Sequence, residues 1–259
     1  MTAQSQIPSR VRFVMRAAWV FRHWLLIWLT MFTIFNLLPY LAPVLMWAGL
    51  DPLAEAIYSL YGLIGHQMAH RSYFFFGDSV VYSLDELPVR LAGDFILDST
   101  VLRNFIGDEQ FGWKVAWSDR LVALFGSALI TSFVYAFLRQ RDNFSPMKIG
   151  WMLISCAPLV IDGTTHYISD FEGVTGGFRW DNAWLASLTA NAFPESFYVG
   201  ADWGSFNSIA RLVTGILFGI GLWSWGLGRA DTYFDRNATL LEARIDGWRE
   251  RQHLAGSDK

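Results

Sequence analysis

The sequence has a single cysteine, little charge and no excess of positive charge. Cys156 alone can form neither an intrachain disulfide nor a cysteine-cluster metal site. Charged residues make up 17% of the 259 residues, whereas soluble domains usually contain about 25%. The formal net charge of -3 gives no basis for nucleic-acid binding. The chain also lacks Walker, GxGxxG and GxSxG motifs, so common nucleotide-binding and serine-hydrolase classes are excluded.

Long hydrophobic runs are abundant instead. Hydrophobic residues account for 53% of the chain, and a membrane-spanning helix needs about 20 mostly apolar residues. Four stretches meet this length, and the predicted spans are about 24–48, 119–139, 147–168 and 207–228. The segment 51–67 has too short an apolar core to span, so it predicts a re-entrant or interfacial helix that starts at Asp51 and Pro52.

Lysine and arginine are concentrated in the two tails and in the short 139–148 loop, whereas 67–118 and 167–206 are rich in acidic residues. Because basic loops stay on the cytoplasmic side, both termini are predicted to be cytoplasmic. The expected fold is an all-α, four-span protein of the plasma (inner) membrane with an extracytoplasmic cap of loops and helices. We expect the chain to divide into three regions. An amphipathic N-terminal segment, 1–23, precedes a membrane domain, 24–228, and an amphipathic C-terminal helix, 229–259, follows it. The cap of the membrane domain is formed by 67–118 and 167–206.

Polar residues cluster where the predicted spans reach the outer side. At about 1.5 Å per residue, Asp162, Arg211 and Arg120 all lie in the outer third of the bilayer core. The pairs His66/His70, Asp162/His166 and Asn207/Arg211 have i,i+4 spacing, which places each pair on one helix face. Ionisable residues inside a membrane are costly, so this polar layer is a candidate functional site.

Three readings of the layer remain open. In the first, a divalent metal such as zinc binds four side chains, namely His66, His70, Asp162 and His166. In the second, no metal is needed: Asp162 or Asp119 acts as base, His66 acts as acid or base, and arginines bind an anion. In the third, Asp162 forms a buried ion pair with Arg211 or Arg120 that only stabilises the helix bundle.

Four blocks of the sequence resemble, in order, the motif blocks of the prokaryotic membrane family DUF2085. They are "GHQMAHRS" (65–72), "VAWSDRLVALFGS" (115–127), "PLVIDGTTH" (158–166) and "SFNSIARLVTGILFG" (205–219). The resemblance marks His66, Gln67, Arg71, Ser72, Arg120, Asp162, Gly163, Ser205, Asn207, Arg211 and Gly215. Ser118 and Leu121 stand where the family has two cysteines, so a thiol or metal role for that pair does not apply. The family implies a fold and a site but no activity.

The leading functional hypothesis is a hydrolase or transferase that acts on a lipid-linked or anionic amphiphilic substrate. Its predicted catalytic residues are His66, Asp162 and Asp119. Its predicted substrate-binding residues are Gln67, Arg71, Ser72, Arg120, Ser205, Asn207 and Arg211. The alternative is a non-catalytic accessory or scaffold subunit of a larger membrane complex. The expected partners are membrane lipids and either another membrane protein or a second copy of the chain.

Overall fold

The computed structural model describes residues 7–141 and 145–257 and is mostly helical. The other residues of the predicted tails, 1–6 and 258–259, lie outside the described residues. The long helices are α1 (Ser9–Arg22), α2 (Trp24–Trp47), α5 (Asp119–Leu138), α6 (Ile149–Asp170) and α10 (Phe206–Ser257). The shorter helices are α3 (Asp51–Tyr61), α4 (Phe95–Asn104), α7 (Phe178–Asp181), α8 (Ala183–Leu188) and α9 (Glu195–Tyr198).

Three helices have the length and hydropathy to cross a membrane. They are α2, α5 and α10, which match the first, second and fourth predicted spans. The helix over the third predicted span, α6, is 22 residues long but carries Asp162 and His166 within it, and it is not one of the three. The structure therefore confirms three candidate spans and does not confirm a count of four.

The long helix α10 is the centre of the bundle. It runs parallel to α5. The contacts between the two helices advance in the same direction along both, since Gly215 packs on Arg120 and Gly219 packs on Leu124. A Cβ atom at Gly219 would lie 2.3 Å from the Leu124 carbonyl oxygen, so only glycine allows this close approach. α6 runs antiparallel to α10 on another side, where Gly221 packs on Ser155.

α10 continues well past the last predicted span as one unbroken helix. Its 52 residues correspond to roughly 78 Å, more than twice the thickness of a bilayer core. α1 packs antiparallel on the distal half, where Arg22 donates to Asp235 at 2.7 Å and also to Glu242. The two predicted amphipathic tails therefore pair with each other, and the C-terminal one is an extension of the span.

A small antiparallel sheet corrects the all-α prediction. It comprises β1 (Ser72–Phe75), β2 (Gly107–Asp108) and β3 (Gly112–Ser118) in the order β1-β3-β2. Gly107 and Gly112 adopt φ values of +118° and +70°, which lets the β2–β3 turn close tightly. The acidic 67–118 loop, which had suggested only loops and helices, thus contains strands. The end of the bundle that carries this sheet is called the sheet end below.

Lys114 of β3 is completely buried, and its hydrogen bonds hold separate segments of the sheet end together. Its Nζ donates to the carbonyl oxygens of Gln67 at 2.8 Å and Arg103 at 2.5 Å. Burial lowers its pKa to about 7. On the other side, the Tyr58 hydroxyl of α3 donates to the Lys114 carbonyl oxygen at 2.5 Å. These bonds fasten α3 and the 62–68 segment to the sheet.

Candidate functional site

A cavity of about 200 Å³ lies at the sheet end, between α4, α5, α6 and the segment that follows α3. Besides Ser99 and Ser118, its polar lining consists of three arginines, two histidines and two carboxylates: Arg71, Arg120, Arg211, His66, His166, Asp119 and Asp170. Apolar side chains complete the lining, among them Ile64, Phe95, Leu121 and Tyr167. We call this space the arginine cavity. It gathers six of the predicted site residues, from segments up to 145 positions apart in sequence.

Two of the three lining arginines pair with the carboxylates that also line the cavity. Arg71 binds both oxygens of Asp170, at 3.1 and 3.2 Å. The Arg211 Nε donates to Asp119 Oδ2 at 2.7 Å, while its NH2 donates to the Ala201 carbonyl oxygen at 3.1 Å. The predicted pairing of Arg211 with Asp162 is therefore replaced by a pairing with Asp119. This geometry makes Asp119 a counter-ion to arginine and leaves it poorly suited to act as a base.

Asp162 is the most heavily bonded carboxylate of the layer. Arg120 donates to its Oδ2 at 2.6 Å, as predicted for a buried ion pair, and Thr214 approaches the same oxygen at 3.5 Å. Arg179 donates to its Oδ1 at 2.8 Å. The His166 Nε2 lies 3.8 Å from Oδ1. Two guanidinium groups thus share one carboxylate in a buried environment.

Arg179 was not predicted as a site residue, although it belongs to the core of the layer. From α7 in the cap, its side chain donates to Asp162, to Thr165 at 2.8 Å and to Asn207 at 3.1 Å. Its NH2 also lies 3.1 Å from His166 Nε2. The available signal was that Arg179 is the lone arginine in an otherwise acidic loop. A single arginine among acidic residues indicates a specific carboxylate partner, but the sequence does not show which carboxylate Arg179 binds.

The layer holds more positive than negative charge. Arg71, Arg120, Arg179 and Arg211 face only three carboxylates, those of Asp119, Asp162 and Asp170. Because Asp162 serves two arginines, one positive charge is left without its own counter-ion. A desolvated cation of this kind is costly unless an anion compensates for it.

Four residues that line the arginine cavity each keep a buried nitrogen without a hydrogen-bond partner. They are Arg71 through Nε, Arg120 through Nε, Arg211 through NH1 and His166 through Nδ1. His166 Nε2 accepts from Arg179, so the ring proton lies on Nδ1 and all four atoms are donors. Unsatisfied buried donors are rare in native proteins and call for a partner. An anion with several oxygen atoms would satisfy them.

His66 is the accessible titratable residue of the cavity. Its side chain is exposed and makes no hydrogen bond to any described residue. The low-polarity surroundings and the charge of Arg71 lower its pKa to about 4, so it is a neutral imidazole near pH 7. Of the three predicted catalytic residues, it is the one left free to accept a proton.

Several predicted binding residues instead bond to the backbone. The Gln67 amide donates to the carbonyl oxygens of Tyr58 and Ala116, and the Ser72 hydroxyl donates to that of Met68. Asn207 donates to the carbonyl oxygens of Arg179 and Gly200. The Ser205 hydroxyl accepts from the backbone of Ser208. These four residues fix the backbone around the site, and none of them lines the arginine cavity.

The predicted zinc ligands do not form a metal site. Across residues 7–141 and 145–257, no three His, Cys, Asp or Glu side chains come close enough to share an ion. Asp162 and His166 are both bonded to Arg179, and a guanidinium next to the donor atoms opposes a cation. His70 lines a different cavity. The i,i+4 spacing places Asp162 and His166 on one face of α6, but it gives no distance from them to His66 and His70, which lie outside that helix.

The long apolar helices and the buried charged layer define a helical membrane protein with a polar site at one end. Residues 105–225 match the family model described as "Predicted membrane protein (DUF2085)", which confirms the resemblance to that family. The matched region contains Arg120, Asp162, Arg179 and Arg211 but neither His66 nor Arg71.

An uncharacterized protein of Methanocaldococcus jannaschii is 25% identical over 169 residues, which cover 63% of this chain and 85% of the relative. No solved structure matches the chain.

Proposed function

We propose that this protein binds the anionic head group of a membrane amphiphile in the arginine cavity and acts on it by hydrolysis or group transfer. The observation that carries the proposal is the surplus of positive charge at a cavity whose lining includes four residues, each with a buried, unpartnered N–H donor. Charge-assisted hydrogen bonds from arginine are the usual means of binding phosphate and carboxylate groups. A phosphate-bearing or carboxylate-bearing head group therefore fits best.

The apolar rim favours an amphiphile over a free anion. Beside the polar lining, exposed apolar side chains stand along the outside of α4 and α6, including Ile96, Tyr167 and Ile168. An acyl chain lying against these residues would keep its head group at the cavity. The charged layer supplies the binding energy for the head group, and the rim selects molecules that carry a hydrophobic tail.

The proposed setting is the plasma (inner) membrane with four spans, both termini cytoplasmic and the sheet end extracytoplasmic. We propose α6, third in chain order, as the span that joins the three candidates α2, α5 and α10, because its outward face is strongly apolar and exposed at Trp151, Leu153, Ile154, Val160 and Ile161. Such a face is stable only against lipid or another protein. The arginines and lysines of the two tails and of the 139–148 loop support the proposed orientation.

His66 is the proposed acid–base residue. A neutral imidazole beside a bound phosphate ester can accept the proton of an attacking hydroxyl or water as its oxygen bonds to phosphorus, and can return that proton to the ester oxygen as the P–O bond to the leaving alcohol breaks. Asp162 and Asp119 would then orient the arginines. The test is product analysis after incubation of the detergent-purified protein with a single-chain phosphate amphiphile, lysophosphatidic acid. His66→Ala should retain binding and lose turnover. Binding without turnover in the wild type would reject the catalytic part of the proposal and keep the binding part.

A second candidate, a non-catalytic accessory subunit, is favoured by one specific observation. Every carboxylate of the layer is already bonded to an arginine, as expected if the layer only stabilises the bundle. In this case the exposed two-helix extension of α1 and distal α10 would contact a membrane partner or a second copy of the chain. Wild-type protein that fails to bind lysophosphatidic acid but co-purifies with a stoichiometric membrane partner would favour this candidate.

A further inference from the structure

A second cavity, of about 290 Å³, shares two lining residues, Arg71 and Asp119, with the arginine cavity. It lies between the strand β1, the 81–86 segment and the turn before α10. Its lining carries a net negative charge, whereas the lining of the arginine cavity carries a net positive charge. We call it the acidic cavity. The function proposed above does not use the acidic cavity.

Two carboxylates of the acidic cavity have no cationic partner among the described residues. Its charged lining consists of Arg71, Glu86, Asp119 and Asp202. Arg71 is neutralised by Asp170 and Asp119 by Arg211, so Glu86 and Asp202 supply the net charge. Partial burial and the nearby Asp85 and Glu86 charges raise the pKa of Asp202. A bound cation would relieve this repulsion.

Aromatic rings stand beside these carboxylates. Tyr73, Tyr82 and Trp203 all line the cavity, and the Tyr73 and Trp203 rings meet edge to face with centroids 6.1 Å apart. Trp203 is 63% exposed, so its face is accessible at the mouth. Aromatic faces next to carboxylates recognise organic ammonium groups through cation–π attraction and charge.

His70 provides an independent indication that the cavity takes a polar ligand. Only 6% of this residue is exposed, it lines the acidic cavity, and neither ring nitrogen has a hydrogen-bond partner. Burial and the charge of Arg71 hold its pKa well below the usual range, so the ring is neutral. A neutral imidazole always carries one acceptor nitrogen, which an ammonium N–H can fill.

We infer that the acidic cavity binds a small, water-soluble organic ammonium compound, with Asp202 and Glu86 as counter-ions, Trp203 at the mouth and His70 as an acceptor within. The volume suits a molecule of modest size. Because Arg71 and Asp119 belong to both cavities, this ligand would be separated from the head group in the arginine cavity by one layer of side chains.

Equilibrium dialysis of the full chain in detergent with labelled ethanolamine tests the inference. Asp202→Asn should weaken binding at least tenfold, and Trp203→Leu should weaken it several-fold. Asp78→Asn, which removes an exposed carboxylate outside the cavity, should have no effect. Ethylene glycol, which replaces the ammonium group by a hydroxyl, should not compete.

Absence of saturable ethanolamine binding to the wild type, equal affinity in Asp202→Asn, or competition by ethylene glycol would overturn the inference. Lysophosphatidic acid binding should be measured on the same preparations. Its loss with ethanolamine binding intact would reject the proposed function alone, whereas the reverse result would reject the ammonium site alone.

Discussion

Arg179, in the cap, donates to Asp162, in a long apolar helix, at 2.8 Å, and Arg120 donates to the other oxygen of the same carboxylate at 2.6 Å. Asp162 therefore connects the cap to α5 and α6 through one buried side chain. The arginine cavity is formed on this framework. Its charge surplus follows directly from the two arginines that share one aspartate.

Replacement of Asp162 by Asn should strongly destabilise the protein. The change leaves two buried guanidinium groups without a carboxylate, and removing one partner of a buried pair typically costs about 3–5 kcal/mol. Thermal unfolding in detergent would show a much lower midpoint. The matched control is Asp246→Asn, whose exposed pair with Arg249 should contribute less than about 1 kcal/mol. Equal midpoints for the two variants would contradict the central role of Asp162.

Two glycines of α10 should respond in opposite ways to alanine. At Gly219 a Cβ atom would lie 2.2 Å from Ser127 Oγ and 2.3 Å from the Leu124 carbonyl oxygen, so α5 and α10 must separate. We expect Gly219→Ala to lose about 1–3 kcal/mol of stability. A Cβ atom at Gly226 meets nothing within 4 Å, so Gly226→Ala should be neutral or stabilising by up to about 1 kcal/mol. A stable Gly219→Ala variant would show that the two helices are less tightly packed.

Lys114 should make stability depend on pH. Its pKa falls from 10.5 to about 7 on folding, so between these values the unfolded chain binds more protons. The free energy of unfolding should therefore rise with pH from about 7 upward, by at most about 1.4 kcal/mol per pH unit. Denaturation midpoints at pH 7 and pH 9 should show this rise in the wild type and a smaller one in Lys114→Met. An identical rise in both proteins would assign it to other groups.

The arginine cavity can be filled from Ser99. This partly buried residue of α4 lines the cavity, whereas its neighbour Thr100 is exposed and does not. Ser99→Trp should fill the space and weaken lysophosphatidic acid binding at least tenfold with little change in unfolding midpoint. Thr100→Trp should bind like the wild type. Unchanged binding in Ser99→Trp would place the ligand elsewhere.

Much of this architecture could be predicted, because hydropathy and helix length are local properties of the sequence. The spans around α2, α5 and α10 follow from apolar runs, and the polar layer follows from counting rise per residue. The strands could not be predicted in the same way. β1 and β3 pair across residues 76–111, which include α4, and a lysine in the middle of β3 is not typical of a strand that is almost fully buried.

The site was predictable only in part. The sequence identified Asp162, Arg120 and Arg211 as members of one layer, but helix depth alone could not determine which acid pairs with which arginine. Arg179 reaches the layer through the fold of the cap, which carries no periodic signal, and Asp170 lies in the last turn of α6, beyond the predicted end of that span. The four predicted zinc ligands do not come together for the same reason, since spacing within a helix gives no distance to another element.

The most direct test of the account compares two ligands that differ in charge. The binding of lysophosphatidic acid and of its uncharged counterpart, a monoacylglycerol with the same acyl chain, should be measured by calorimetry on the wild-type protein in a nonionic detergent. The account predicts at least tenfold tighter binding of the phosphate compound, about 1.4 kcal/mol, with the preference lost in Arg120→Gln. Equal affinity for the two ligands, or a preference unchanged in Arg120→Gln, would contradict an anion site in the arginine cavity.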